Sequence, residues 1–198
     1  MPRSVYFSFH YQDVMDFRAN VVRNSGTFRQ KGEVFRDSSI WEEAEEKAIR
    51  KVKGLIEAEL KGASVNCVLI GTDTYSRRFV RYEIMKSLEA KKGQLGVGID
   101  WIKDKNGSRK FWAGENPFDY LALKIAKDGK SINLFEKKES SWIAYKDLPA
   151  IKNTQFKGND FGNFFRLSNL YKRYSYQWDN GKVYFPSWIE EAAINVGR

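Results

Sequence analysis

Glu83 follows Phe79 by four residues in the run Gly71-Thr-Asp-Thr-Tyr-Ser-Arg-Arg-Phe-Val-Arg-Tyr-Glu-Ile-Met-Lys-Ser-Leu88. On a helix, that spacing sets a carboxylate and an aromatic ring on one side, a turn apart. The ring can stack on a planar leaving base. The carboxylate can stabilise an oxocarbenium-like centre or orient an attacking hydroxyl. Two other groups of residues can join them if the strands run parallel: Ser8, Phe9 and His10, and Arg36, Asp37, Ser38 and Trp41. Together they offer hydroxyls, an imidazole, aromatic faces and one carboxylate, a set suited to cleaving an N-glycosidic bond. No metal is required where the leaving base is already cationic. The plainer alternatives are a half-exposed Glu83 paired with Lys86 or Arg81, and aromatic rings that simply pack a core.

These residues need elements to position them. Val65-Asn-Cys-Val-Leu-Ile70 is an apolar run ending at a glycine, which reads as a strand buried on both faces. Val80, Ile84 and Leu88 then recur at helical spacing. In open α/β sheets, ligands bind outside the carboxyl ends of the strands, so a carboxylate early in the following helix is well placed to meet one. Ser4-Val-Tyr-Phe-Ser-Phe9 reads as a first strand, followed by a helix with Val14, Phe17, Val21 and Val22 on one face and Gly26 at its end. Residues 27–35 predict at most a short edge strand. Ser39 and Glu42 have capping-box spacing for a helix bearing Ala44, Ala48, Val52, Leu55 and Leu60, which Gly62 ends. Gln94–Ile99 is a further strand. The alternation implies an α/β fold, a mainly parallel sheet with helices on both faces.

The pattern loosens after Asp100. Ser131–Glu136 and Trp142–Tyr145 read as strands, and the last quarter is polar but rich in rings, among them Phe156, Phe165, Tyr174, Trp178 and Trp188. The expectation is a main domain over 1–130 and a C-terminal extension over 131–198, packed on that domain through its rings. An exposed partner surface is the alternative.

With one Cys (Cys67) and one His (His10), neither a disulfide framework nor a zinc cluster can form within one chain. There is no G-x-x-x-x-G-K-[ST] loop, and Gly96-Val-Gly98 lacks the third glycine of a dinucleotide-binding turn. No run is long and apolar enough for a bilayer, and Met-Pro-Arg-Ser-Val lacks a signal-peptide core, so a cytoplasmic protein without a membrane partner is expected. The net charge of +9 invites nucleic acid, but the basic residues are dispersed among acids and form no arm or stripe. A positive field serves an anionic small molecule equally well, a dinucleotide included.

Val5-Tyr-Phe-Ser-Phe-His-Tyr-Gln-Asp-Val14, Val34-Phe-Arg-Asp-Ser-Ser-Ile-Trp41, Cys67-Val-Leu-Ile-Gly71 and Ser76-Arg-Arg-Phe-Val-Arg-Tyr-Glu-Ile-Met-Lys86 resemble, in order and spacing, segments of Toll/interleukin-receptor (TIR) domains. The resemblance is to the TIR-like ThsB proteins of bacterial Thoeris anti-phage systems. Asn116–Leu121 and Tyr145–Leu148 extend it into the second half. It implies a flavodoxin-like fold with strand order 2-1-3-4-5, and an NAD glycohydrolase or ADP-ribosyl cyclase with Glu83 as catalytic residue. Phe79 stands where the family often has Trp, and His10 where it often has Arg. Ser8, Phe9, His10, Asp37, Ser38, Trp41 and Phe79 would bind substrate, and a mobile loop near Gly32–Trp41 would cover it. NAD would be the substrate, with no cofactor. The product, a cyclic ADP-ribose isomer, would activate a separate effector, ThsA, after a phage-derived trigger, with self-association of the chain. Two rival readings are a non-catalytic TIR assembly module and a nucleic-acid-binding α/β protein.

Overall fold

Val65–Ile70 (β3) is buried at every position, and a parallel sheet is laid down on either side of it. The computed structural model describes residues 3–26, 29–31 and 46–198. The Ser39–Glu42 capping box, Ala44 and the Gly32–Trp41 loop lie outside the described residues. Ser4–Ser8 (β1) pairs with β3 on one side and with Arg29–Lys31 (β2) beyond it. Gly93–Gly98 (β4) pairs with β3 on the other side. The far edge is Arg173–Ser175 (β10), which pairs with Gly96–Gly98. The order β2-β1-β3-β4-β10, parallel throughout, is that of a flavodoxin-like α/β fold.

Two helical layers cover this sheet. Tyr11–Met15 (α1), Arg18–Arg23 (α2) and Gly181–Ile194 (α5) bring Val14, Ala19, Val22, Phe185 and Ile189 onto the face of Val5, Phe7, Cys67 and Leu69. Glu46–Lys61 (α3) and Arg78–Glu89 (α4) bring Val52, Ile56, Leu60, Val80, Ile84 and Leu88 onto the face of Tyr6, Val68 and Ile70. Strand alternation makes this division unavoidable, since neighbouring residues of β1 and β3 point to opposite faces.

A second, antiparallel sheet is inserted between β4 and β10. Leu121–Ile125 (β5), Ser131–Lys138 (β6), Ser141–Ala144 (β7), Ile151–Lys152 (β8) and Phe164–Arg166 (β9) form it, in the order β7-β6-β5-β9 with β8 also on β6. Leu121, Leu123, Ile125, Ile132 and Leu134 join the α3/α4 core. The division expected at residue 130 falls between β5 and β6, which pair in register from Leu121↔Glu136 to Ile125↔Ile132. Beyond the insertion, β10 and α5 return to the parallel sheet. Gly93 makes the return possible: a Cβ there would stand 2.3 Å from the Ala192 carbonyl oxygen of α5.

Three local features differ from the sequence reading. The helix expected from Val14 to Val22 is broken at Phe17, whose backbone is left-handed (φ 66°) and whose ring is 54% exposed. Leu55 lies outside the core stripe of α3, and Ile56 takes the core position. The last quarter carries a regular helix, α5, where only ring packing was expected.

Candidate functional site

Tyr6 and Ser8 lie two residues apart on β1 and so face the same helical layer, that of α4. From α4, Glu83 reaches back to this strand, and Oε1 accepts a 2.6 Å hydrogen bond from the Tyr6 hydroxyl. The carboxylate is 9% exposed. Among the described residues, Lys86 pairs with Glu57 and Glu89, and Arg81 pairs with Glu136. A hydroxyl donating to a carboxylate is among the stronger hydrogen bonds and fixes the orientation of the acid.

The Ser8 hydroxyl is fully buried and donates to Asn66 Oδ1 at 2.9 Å, and Asn66 Nδ2 in turn donates to Gln94 Oε1 at 3.4 Å. Tyr6, Asn66 and Gln94 are register partners on β1, β3 and β4, so they form a polar row across an otherwise apolar sheet face. Phe79 is 5% exposed and belongs to the α3/α4 core. Phe9 points the other way. Its half-buried ring packs on the opposite core, beneath the Arg23 guanidinium at 5.6 Å. His10 caps the start of α1 with extended backbone. The structure thus gathers Ser8, Phe79 and Glu83 on one face of the sheet and sends Phe9 to the other. Asp37, Ser38 and Trp41 lie outside the described residues.

A second cluster sits at the carboxyl ends of the strands, built on Asp13 and Asp100, which the sequence reading did not single out. Asp13 of α1 lies beside Gly71 and Thr74, with the Thr74 hydroxyl 3.5 Å from Oδ2. The carboxylate fills the space where a Cβ of Gly71 would stand. Burial first, then the negative charge of Asp100, push the Asp13 carboxyl up to about 7. Asp100, after β4, accepts from the Gly114 amide at 2.6 Å and the Thr72 hydroxyl at 3.1 Å. Burial raises it too, against the pull of those donors. Together the two acids clamp the 71–77 turn that leads into α4 and so position the helix carrying Glu83. Arg18, buried beside them, donates to the Ile102 carbonyl, Asp16 and Asp104.

Among the described residues, no three His, Cys, Asp or Glu side chains are grouped to hold a metal. No described helix is long and apolar enough to cross a membrane. Cys67 is fully buried, and burial raises its thiol well above the ordinary range, so it is an inert core group.

The chain matches the family model described as "Thoeris protein ThsB, TIR-like domain" over residues 6–104. It is also 43% identical, over 96% of its length and 100% of the relative's, to the Bacillus cereus (strain MSX-D12) protein named "Putative cyclic ADP-D-ribose synthase ThsB1". The chain belongs to the ThsB TIR-like family. The matched TIR segment runs from Tyr6 past β4 and contains Ser8, Phe9, His10, Phe79 and Glu83. The ThsB relative extends the likeness through the second sheet, β10 and α5, the parts outside that segment.

Tyr6, Asn66, Asp13 and Asp100 are the site residues missed in the sequence. For Asn66 there was a signal: it is a polar residue inside an apolar strand, and buried polar groups require partners.

Proposed function

We propose that this ThsB-family protein cleaves NAD at the nicotinamide–ribose bond and cyclises the ADP-ribose product into a signal for a defence effector. The observation that carries the reading is the Glu83 carboxylate. It is presented by α4, oriented by Tyr6, and set beside the central strands of a TIR fold. The 43% identical relative, named for cyclic ADP-D-ribose synthesis, supports the same direction.

In this mechanism the C1′–N bond breaks and its electron pair leaves with nicotinamide, which becomes neutral. Positive charge develops on the ribose, and a fixed carboxylate stabilises it. A hydroxyl of the same molecule then attacks the anomeric carbon and transfers its proton to Glu83, which closes the ring. Closure in place of hydrolysis requires water to be kept out. The Gly32–Trp41 loop, with Asp37, Ser38 and Trp41, or a second copy of the chain, would do so. Ser8 and His10 would line the substrate side and Phe79 would support the base. The protein would act in the cytoplasm, respond to a phage-derived trigger, and reach ThsA through the diffusible cyclic nucleotide.

Nucleotide profiling by mass spectrometry of phage-infected cells tests this, with wild type compared to Glu83→Gln. An ADP-ribose isomer that rises only with wild type is the expected result. Protection by Glu83→Gln with no new nucleotide in either strain would overturn it. A non-catalytic assembly module would then take its place, a reading favoured by Phe111 and Trp112, which are 78% and 75% exposed.

A further inference from the structure

One cavity lies away from Glu83. It holds about 450 Å³ and opens at the amino end of β4, where β10 is too short to cover the strand edge. Four features mark it as built to receive something. First, the Tyr174 and Trp188 rings lie parallel on its wall, with centroids 4.2 Å apart and planes 3° apart. Second, Gln94, 4% exposed, and Tyr171 line the cavity as polar neighbours, with the Gln94 amide directed at the Tyr171 hydroxyl. Third, Lys91 and Lys172 stand at the rim with one acid, Glu191, which is held by Lys172 at 2.5 Å and by the Tyr174 hydroxyl at 3.0 Å. Fourth, the volume is that of a small-ligand pocket, within the range of about 300–1,000 Å³ common to such sites.

An aromatic stack, a polar inner wall and a cationic rim specify a planar heterocycle that carries an anionic group. We propose that this cavity binds a nucleoside monophosphate, at a site separate from that of Glu83. The base extends the Tyr174–Trp188 stack, and such base–aromatic contacts tolerate different bases. The phosphate faces Lys91 and Lys172. The occupant touches the turn that ends α4, where Gln155 Nε2 already donates to the Leu88 carbonyl at 3.0 Å. The site therefore lies at the opposite end of the helix from the 71–77 turn.

The test is calorimetric titration of the full chain with AMP, GMP, CMP and UMP at millimolar concentration, with tryptophan fluorescence followed in parallel. Asn195, exposed at the cavity mouth, is replaced by Trp to fill the entrance without touching the core. The expected result is saturable binding of at least one nucleotide, weakened about tenfold or more by Asn195→Trp, whose ring occupies the entrance and keeps the base from reaching the Tyr174–Trp188 stack. Asn195→Trp should leave the melting temperature of the free protein unchanged, and Glu83→Gln should leave binding unchanged. No saturable binding by any of the four overturns the proposal. So does binding that survives Asn195→Trp, or binding lost in Glu83→Gln, which would place the nucleotide in the Glu83 site. None of these outcomes depends on whether NAD is cleaved.

Discussion

The Tyr6 hydroxyl and Glu83 Oε1, 2.6 Å apart, join the middle of β1 to α4 and hold a nearly buried carboxylate in one orientation. Glu83→Gln keeps a carbonyl oxygen that can accept from Tyr6, so the fold should survive with little change in urea midpoint. Cyclic nucleotide production should be abolished. Tyr6→Phe keeps the ring but removes the donor, and should cost about 1–3 kcal/mol because the buried acceptor loses a partner. Product formation should also slow as the acid loses its orientation. Urea titration of both variants, with product measured by mass spectrometry, separates the roles. Should Glu83→Gln unfold as readily as Tyr6→Phe, Glu83 is a packing residue and not a catalytic one.

The return of the chain to the parallel sheet rests on Gly93. A methyl group there would meet the Ala192 carbonyl oxygen at 2.3 Å, and backbone on both sides leaves nothing free to move aside. Gly93→Ala should destabilise by about 1–3 kcal/mol, the usual range for overpacking. Gly54, on the exposed side of α3, is the control, since nothing lies within 4 Å of its added Cβ. Gly54→Ala should stabilise by about 0.5–1 kcal/mol, because alanine loses less backbone freedom in a helix. Opposite signs in chemical denaturation would establish that α5 packs on β4 as described. Equal effects would refute it.

A fragment ending at residue 130 carries the whole TIR family match yet should not fold. It strips β5 of β6 and β9, and β4 of β10 and α5. Two cores then lose walls: Ile132 and Leu134 on one side, and Phe185, Trp188 and Ile189 on the other. Near-ultraviolet circular dichroism of the fragment should lack the aromatic signal of the full chain. A fragment with native near-ultraviolet signal and cooperative melting would make residues 131–198 a true appendage.

The β3–α4–β4 unit was legible because its apolar runs decide their own structure. Val65–Ile70 is buried on both faces, and Val80, Ile84 and Leu88 keep helical spacing. β10 was not legible, since Arg173-Tyr-Ser175 becomes a strand only by pairing with the edge of β4. α5 was obscured by Pro186 inside it and by apolar residues on several sides, with Val183, Tyr184 and Ile194 exposed while Phe185 and Ile189 are buried. A helix without a clear stripe has no periodic signal. Phe17 fits the apolar period of one helix, and only the left-handed turn at that residue removes it. Strand alternation put Tyr6 beside Ser8, but which helix covers them is a tertiary matter. Glu83 was therefore legible as a helical carboxylate, and its partner Tyr6 was not.

Asp13 and Asp147 should act on stability at opposite ends of the acid range. Burial and the Asp100 charge raise Asp13 from 3.8 to about 7, so the folded state holds a proton that the unfolded state releases above pH 4. Its contribution is fully present below the unfolded value and is lost as pH rises toward 7. Asp147 has the reverse sign. Burial alone would raise it, but hydrogen bonds from Arg78 and Lys53 overcome that and hold it below 3.8. Its contribution is present above the unfolded value and is lost as pH falls through the folded one. The charges facing Asp13 are Asp100 and Asp16, which raise it, and Lys110 and Arg18, which lower it. Asp100, itself raised, adds to the alkaline loss. Melting temperature should therefore decline between pH 5 and pH 8. Asp13→Asn keeps the shape of the protonated acid beside Gly71 and Thr74 and removes its charge. At pH 8 the variant should be more stable than wild type by a few kcal/mol, since each tenfold change in proton affinity corresponds to about 1.4 kcal/mol. At pH 5 the gap should narrow to about two-fifths of that, and it should close only below the unfolded value of 3.8. A variant less stable than wild type at pH 8 would mean that Asp13 is ionised and needed as an anion, as part of a charge network with Arg18 and Lys110.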